Sequence, residues 1–466
     1  LLGLSSLAAC AVDQQAEVAT YRRVLDGDEA VAVEPYHPEQ PLSLEDALRL
    51  ANAHNEQLAI RGEDYLQALI AKDRAAARFV PVISFAPSFT VQDNTNLGGD
   101  SELIHEFVRE QSLDLPLEAD LEVNPVREVA SVRLAQATAQ AQRALLLDLR
   151  ADVLLDVAAT YYQTLRSQQQ VQVLTHSLEV QQRRLADVQA RREAGTALPL
   201  DVAQVRAQVA QTRATLIQAR RDVRNGRATL AFLIGAPEVA GELTDELTVP
   251  ERLPSDETLL AVAQDHRQDL AAAQARIEAA AENLQRAWGQ YFPSVSLELD
   301  YFLSRQSFPP DVDWLGVVEL RVPIFSAGLI HADVRDAWSE LRQARLNRSR
   351  IERQVLEQLR VALEDLQSSR QRIEQLQTQV EAAQEALDRT EQAYEAGLMT
   401  NLDRLIAQDQ LLSAQLDWTG EQLDYKLNYL TLLRILGRLD VDLAAASAPL
   451  WSTAAAPTAA MPAADR

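Results

Sequence analysis

The sequence contains the same order of motifs twice, and this internal repeat constrains the fold more than any other feature. Residues 193–201 recur as residues 395–403, at an offset of 202 positions. A second correspondence, at an offset of 212 positions, relates residues 54–81 to residues 266–293. Two halves with one plan indicate duplication of a structural unit.

Helical periodicity covers most of both halves. Ser43, a preferred N-cap residue, predicts a helix that continues to about residue 79. The pattern from about 126 to 193 predicts a rod of about 100 Å at 1.5 Å per residue. A three-four spacing then predicts a coiled-coil seam through Val202, Val205, Val209, Thr212, Leu216, Ala219, Val223, Gly226, Leu230 and Leu233. Helices near 256–291, 329–396 and 401–436 repeat this plan in the second half.

Four segments alternate apolar and polar side chains with the period of a strand that has one wet face. We predict strands at about 82–92, 112–124, 294–304 and 313–323, each about 10 residues long, as a tilted membrane strand requires. Aromatic residues near the strand starts fit a membrane interface: Phe79, Tyr291, Phe292 and Trp314. An ordinary soluble sheet is the alternative, and Pro87 and Pro116 favour it because proline cannot donate to a strand ladder.

The membrane interpretation requires several copies of the chain. Four strands cannot close a barrel, and open sheet edges are not tolerated in lipid. Three copies give about twelve strands, enough to surround a water-filled bore. Acidic side chains on the wet faces then line a cation-preferring pore: Asp114, Glu118, Asp120, Glu122, Glu298, Asp300 and Glu319. The alternative is a solvated acidic face.

The N-terminal residues predict where in the cell the protein is located. Residues 1–9 form an apolar run ending in small residues, and Leu7-Ala8-Ala9-Cys10 matches a bacterial lipobox. We expect a residual lipoprotein signal at 1–9 and a lipidated extension at 10–41, with acyl chains such as palmitate on Cys10 holding it to outer-membrane lipids. Ala11 is not the aspartate of an inner-membrane retention signal. The alternative for Cys10 is a buried free thiol.

Composition excludes several classes of function. A net charge of −24 argues against nucleic-acid binding. The single cysteine permits no disulfide framework within the chain. The six histidines are scattered without metal-ligand spacing, and neither a nucleophile motif nor a phosphate-binding loop occurs, so an enzyme is not predicted.

These motifs together resemble the TolC-like outer-membrane efflux protein family, over about residues 42–437. The most recognisable stretches are Leu42-Ser43-Leu44-Glu45-Asp46-Ala47-Leu48, Tyr394-Glu395-Ala396-Gly397 with Leu402-Asp403, and the helix ends at Gly235 and Gly437. The resemblance implies a mainly α fold with a transmembrane β part: a homotrimer whose twelve-stranded barrel, four strands per chain, continues into a long periplasmic coiled-coil tunnel. It also implies a periplasmic adaptor protein and an inner-membrane pump as partners.

The repeat and the resemblance divide the chain into segments. The first repeat is 42–235, with its hairpin tip at about 193–201, and the second repeat is 256–437, with its tip at about 395–403. A linker is expected at 236–255, and the Ala/Pro-rich tail at 438–466 is expected to be disordered.

In the family, acidic and apolar side chains just after the second glycine motif form a gate at the periplasmic tip. Leu402 and Asp403 match that pattern, whereas Ile406 and Met399 stand where members carry a second acidic and a basic residue. The resemblance therefore implies an apolar gate with an Asp403 ring in place of a salt-bridge latch.

Three further tip residues are candidates for adaptor contact: Gly195, Asp201 and Gly397. The alternative for all three is turn chemistry and helix capping. The implied mechanism is passive conduction from periplasm to exterior, and no cofactor is implied. Metal export has no support from Met399 and Met461, which form no soft ligand array.

Other functions remain as alternatives. The lipid anchor resembles the branch of the family that serves efflux pumps, and a component of type I protein secretion is the second possibility. A periplasmic adaptor lipoprotein would show one hairpin flanked by compact β domains, whereas this sequence predicts two hairpins. A purely structural coiled-coil lipoprotein leaves the amphipathic strands unexplained.

Overall fold

The structure is a computed structural model that describes residues 12–27, 36–91, 111–250, 252–307, 309 and 311–443. Cys10 and the tail beyond residue 443 lie outside the described residues. The chain divides into two compact units, one comprising Leu1–Gly62, Leu146–Gln268 and Ile351–Arg466, the other Glu63–Leu145 and Asp269–Arg350.

Nine helices and eight strands account for most of the described residues. The helices are α1 Gln14–Asp26, α2 Leu44–His54, α3 Glu56–Ala77, α4 Pro125–Glu193, α5 Pro199–Leu233, α6 Asp256–His266, α7 Gln268–Gly289, α8 Leu329–Glu395 and α9 Asn401–Ile435. The strands are β1 Leu42–Ser43, β2 Val82–Phe85, β3 Ser88–Val91, β4 Gln111–Asp114, β5 Pro116–Val123, β6 Leu243–Thr244, β7 Ser294–Phe302 and β8 Trp314–Arg321.

One unit is built around an antiparallel sheet in the order β2-β5-β7-β8. Strands β3 and β4 form a separate antiparallel pair. The predicted strand at 82–92 is therefore interrupted between Phe85 and Ser88, where Pro87 has no N–H to donate. Pro116 is accommodated because it is the first residue of β5, a position that proline tolerates.

The other unit contains the tip-proximal parts of two helical hairpins, residues 146–193 of α4 with α5 and residues 351–395 of α8 with α9. Seven of the ten predicted seam residues of α5 are buried, and Val223, Gly226 and Leu233 are half-buried. Val202, Val205 and Val209 form one core cluster with Val188 of α4 and Leu405 of α9. Further along, Leu216 and Ala219 pack with Leu174. Burial of these seam residues holds α4 and α5 together and packs α9 against them.

A small parallel pair, β1 with β6, fastens the segment at 236–255 to the helices. The hydroxyl of Tyr161 on α4 lies 2.7 Å from the carbonyl oxygen of Leu42 and 2.6 Å from that of Thr244. Burial raises the pKa of Tyr161 far above its usual value, so the hydroxyl keeps its proton. This pairing was not predicted, because two-residue strands leave no periodic pattern.

The internal repeat is preserved in three dimensions at the end of each hairpin. Asn55 donates to the carbonyl of Leu233 at 3.1 Å, and Arg267, its counterpart, donates to that of Ile435 at 3.4 Å. Asn55 also interrupts the helix predicted from Ser43, because its side chain caps the first turn of α3.

Helix α1 lies in the segment that the sequence predicted only as a polar extension. The carboxylate of Asp13 accepts hydrogen bonds from the amides of Gln15 and Ala16, which starts the helix. Leu25 and Tyr21 are buried, and the ring of Tyr21 covers Gly62 so closely that an added Cβ would lie 2.3 Å from it.

Candidate gate at the helical tips

Both hairpin tips turn at a glycine in the left-handed region. Gly195 has φ 78° and Gly397 has φ 74°, and no atom lies within 4 Å of the space that a Cβ would occupy. At each tip the residue after glycine donates its N–H to the last helical turn at 2.8 Å, from Thr196 to Arg191 and from Leu398 to Ala393. Glycine is required here by conformation rather than by crowding.

Asp201 and Asp403 occupy equivalent capping positions at the start of the second helix. The carboxylate of Asp201 accepts the N–H of Leu198 at 2.9 Å. That of Asp403 accepts the N–H of Thr400 at 2.9 Å and its hydroxyl at 2.6 Å. The amide of Asp403 in turn donates to the Thr400 hydroxyl at 3.2 Å, which completes a reciprocal capping box.

Hydrogen bonding fixes the charge of Asp403. The hydroxyl and then the amide of Thr400 lower the pKa of this exposed carboxyl below its usual value. Asp403 is therefore ionised and oriented at neutral pH.

Large apolar side chains project from the tips without burial in the single chain. Leu402 is 49% exposed although it lies next to the capping aspartate. The other exposed apolar side chains of the tips are Leu198, Leu200, Leu398, Met399 and Ile406. An apolar surface of this kind is suited to contact with another chain.

Behind the apolar tips, the buried Arg404 lies near the mostly buried Arg184. Arg184 of α4 donates to Gln408 and pairs with Glu391. Burial, and then the neighbouring charge of Arg404, lower the pKa of Arg184 to about 10. Burial also lowers the pKa of Arg404.

Arg404 has fewer partners than its charge requires. It donates to Asn401 at 3.0 Å, and its guanidinium carbon lies 4.3 Å from the ring centroid of Tyr394. Its Nε and the Nδ2 of Asn401 are buried without hydrogen-bond partners among the described residues. Sequence reasoning missed this cluster, although Arg404 stands where the repeat places Val202 of the buried seam.

The structure places most of the predicted pore-lining residues on one face of the four-stranded sheet. Glu118 lies directly opposite Asp300, and Asp120 directly opposite Glu298. Glu122 is opposite Ser296, which in turn is opposite Glu319. Like charges in directly opposed positions are destabilising, so this face requires water or cations.

Asp114 is placed differently from the other acidic residues. It lies in β4, outside the four-stranded sheet, and its carboxylate accepts the amides of Gln306 at 2.7 Å and Ser307 at 3.0 Å. These hydrogen bonds show that Asp114 fixes the turn after β7.

Residues 12–443, apart from the gaps given above, contain no helix long and apolar enough to cross a membrane. The same part of the chain contains no group of three or more His, Cys, Asp or Glu side chains that could hold a metal ion.

The family model for outer membrane efflux proteins matches residues 46–236 and 259–438. Among curated proteins, the outer membrane efflux protein BepC of Brucella suis is 26% identical over 321 residues, which cover 67% of this chain and 69% of BepC. The toluene efflux pump outer membrane protein TtgF of Pseudomonas putida is 28% identical over 332 residues, 66% of this chain and 65% of TtgF. The chain thus spans about two thirds of the length of these relatives.

Solved structures share the fold over most of the chain. The outer-membrane channel OprN superimposes with a TM-score of 0.75 at 21% identity, covering 86% of this chain and 94% of OprN. The Campylobacter jejuni CmeC outer membrane channel gives 0.74 at 16% identity, covering 92% and 95%. At these identities the likeness establishes the architecture.

Proposed function

This chain belongs to the outer membrane efflux protein family, and from that premise we propose that it is a passive export conduit gated at its helical tips. The match of the family model to both repeats carries the proposal. As a member of this family it is an outer-membrane protein. The family is one of channels rather than enzymes.

The conduit is a homotrimer. In the four-stranded sheet, β2 and β8 are edge strands, paired on one side only. An open edge is not tolerated in hydrocarbon, so β8 of one copy pairs with β2 of the next until three copies close a twelve-stranded barrel. Exposed apolar side chains such as Val318 and Leu320 on β8 then face lipid.

Cys10 carries the lipid anchor, and a periplasmic adaptor protein and an inner-membrane pump complete the export system. The lipobox sequence supports the anchor. The exposed apolar tips support adaptor docking around Gly195, Asp201 and Gly397, because such surfaces are suited to partner contact. The pump supplies the energy, and solutes diffuse through the bore.

Leu402 and Asp403 form the constriction. The capping box holds Asp403 in one position, which presents the exposed Leu402 beside it. Three copies of each side chain around the trimer axis give an apolar ring and a ring of negative charge. Multivalent cations are attracted to such a ring.

Single-channel recording in planar bilayers tests this gate. We expect Leu402→Ala to raise the conductance of the closed channel, and Asp403→Ala to weaken block by a trivalent cation. Asp201→Ala is the matched control, because it removes an equivalent cap from the other hairpin. Equal conductance and equal block in wild type, Leu402→Ala and Asp403→Ala would remove these residues from the gate.

A further inference from the structure

A cavity lies between α4, α8 and α9, near the C-terminal end of α9 and far in sequence from the gate residues. Its volume is about 360 Å³. All of its lining residues belong to one compact unit, so the cavity is complete within a single chain. We call it the α9 groove. Its volume is within the range of sites that bind small organic molecules.

The lining of the α9 groove has a negative net charge. It contains three carboxylates, those of Asp152, Glu357 and Asp365, and two guanidinium groups, those of Arg267 and Arg434. A concave surface that carries one sign of charge raises the local concentration of ions of the opposite sign. The α9 groove therefore favours a cation.

Both guanidinium groups already have partners in the protein. Arg434 pairs with Asp148 at 2.9 Å and with Asp152 at 2.7 Å. Arg267 is buried and donates to the side chain of Gln358 at 2.9 Å. These contacts leave the other two carboxylates of the groove without a basic partner.

Those two carboxylates, Glu357 and Asp365, are placed at a defined separation. Neither side chain forms a hydrogen bond or an ion pair with another described residue. Glu357, Val361 and Asp365 follow one another at intervals of four residues on α8, so they share one face of the helix. At 1.5 Å per residue, the two carboxylate positions are about 12 Å apart along the helix axis.

The part of the groove between these carboxylates is apolar. Val361 stands midway between them and is exposed. Leu155 of α4 and Ala362 also line the groove. An aliphatic chain is stabilised when such side chains remove it from water.

Two polar side chains of α9 add acceptors to the lining. The hydroxyl of Thr431 donates to the carbonyl of Leu427 at 2.9 Å, and the amide of Asn428 donates to the hydroxyl of Ser369 at 2.9 Å. Both side chains keep an oxygen with lone pairs for a further donor. These acceptors suit a ligand that has several N–H donors.

We propose that the α9 groove binds a linear aliphatic amine that carries one ammonium group near each end. One ammonium group pairs with Glu357 and the other with Asp365, and the methylene chain lies along Val361. This binding site goes beyond the proposed function, because it lies within one chain and requires neither the trimer nor the gate.

Other cations match the groove less well. A metal ion takes its oxygen ligands at one point, whereas Glu357 and Asp365 are about 12 Å apart along the helix. A monoamine pairs with only one of the two carboxylates. The spacing of the carboxylates therefore selects a ligand that has two separated charges.

Isothermal titration calorimetry on the full-length, detergent-extracted protein tests this site. The probe is diaminooctane with one amine at each end, whose extended chain is comparable in length with the distance between the carboxylates. We expect saturable binding with one site per chain. The monoacetylated form of the same diamine retains the length but loses one charge, and it should bind about fivefold more weakly because one ion pair is missing.

Two double variants separate the groove from the general charge of the protein. Glu357→Gln/Asp365→Asn should weaken binding of the diamine by about tenfold or more, since both ion pairs are lost. The control Glu374→Gln/Glu381→Gln removes two exposed carboxylates from the same helix outside the groove and should bind as wild type does. Equal weakening in the two variants would assign the binding to the net charge of −24 and overturn the site.

A third variant blocks the centre of the groove. Val361→Arg places a guanidinium group four residues from each carboxylate, and should abolish binding without disturbing the fold because Val361 is exposed. Unchanged binding to Val361→Arg, equal affinity for the diamine and its monoacetylated form, or no saturable binding to wild type would each overturn the proposal. None of these results bears on the conduit, which is tested separately by the conductance of the channel.

Discussion

Arg404 has an environment that differs from that of its counterpart in the repeat. Its counterpart in the first hairpin, Val202, is buried in the apolar seam. Arg404 is also buried but carries a charge and lies near Arg184, and the carboxylates of Asp187 and Glu395 favour its charge without forming an ion pair with it among the described residues. An ion held in this way contributes less to stability than an apolar side chain of similar volume.

We predict that Arg404→Met leaves the tip as stable as in wild type, or more stable by about 1 kcal/mol, because methionine retains the packing without the buried charge. The pKa of Arg184 should rise, since one cause of its lowering is removed. Hydrogen exchange at the amides of residues 394–408 measures the change.

Glu391→Gln is the control, because Glu391 is the carboxylate that pairs with Arg184. Loss of the Glu391 carboxylate leaves the Arg184 guanidinium without a charged partner. We expect this to destabilise the tip by about 1 kcal/mol, a value reduced by the partial exposure of Glu391. Faster exchange in Arg404→Met than in Glu391→Gln would contradict this account.

The stability of the second hairpin depends on pH through Asp403, and the direction of this dependence follows from the lowered pKa of its carboxyl. Its pKa in the folded chain is lowered, so the capping box contributes stability above the usual aspartate value of 3.8 and loses it as the pH falls through the lower, folded value. We predict that Thr400→Val raises the pKa of Asp403, because the hydroxyl of Thr400 is the largest cause of the lowering. NMR titration of the Asp403 carboxyl carbon measures the pKa; an unchanged value in Thr400→Val would contradict the assignment.

At the scale of elements, α1 packs against α3 through one close contact between Tyr21 and Gly62. The ring of Tyr21 lies over Gly62 of α3, where any side chain would overlap it. We predict that Gly62→Ala loosens α1, with a loss of about 1 to 3 kcal/mol from overpacking. Hydrogen exchange at the amides of α1 should speed up accordingly.

A double-mutant cycle distinguishes this overlap from the helix propensity of the new residue. Tyr21→Ala removes the ring and weakens α1 by itself. In that background, Gly62→Ala should have no further unfavourable effect and should slightly stabilise α3, since alanine favours a helix over glycine. Additive losses in the double variant would show that the Tyr21 ring is not what Gly62 accommodates.

The sequence predicted the elements that depend on periodicity. The buried seam of α5 and the long helices on either side of each tip follow from spacing and from glycine at the turns. Helix α1 was missed because its burial depends on the contact of Tyr21 with Gly62, which lies far away in sequence. The Arg404 cluster was missed because burial of an arginine is decided by its neighbours in space.

At the scale of the whole molecule, the same structural plan occurs twice, so equivalent positions of the two repeats can be compared directly. The end of each hairpin is fixed in the same way, through Asn55 in one repeat and Arg267 in the other. The repeats differ along their second helices: Leu412 and Leu416 of α9 pack on the cluster around Leu216, whereas Ala210 and Ala214, at the same positions of α5, are exposed.

Ion selectivity of the reconstituted protein is the property that the sheet should control. Glu118 with Asp300, and Asp120 with Glu298, bring opposed carboxylates together on one face. In the proposed trimer, three copies of this face would surround the bore. We predict that Glu298→Gln/Asp300→Asn lowers the cation-to-anion permeability ratio, because each substitution removes a fixed negative charge from the lining. Reversal potentials in a salt gradient measure this ratio.

The control removes two carboxylates from exposed positions on the helices, in Glu63→Gln/Glu257→Gln, and should leave the ratio unchanged. If both double variants shift the reversal potential equally, the selectivity reflects the net charge of −24 rather than the sheet. If neither shifts it, the acidic face does not line the bore. Only a shift confined to Glu298→Gln/Asp300→Asn assigns the face to the conduction path, because only that variant changes the charge along the sheet.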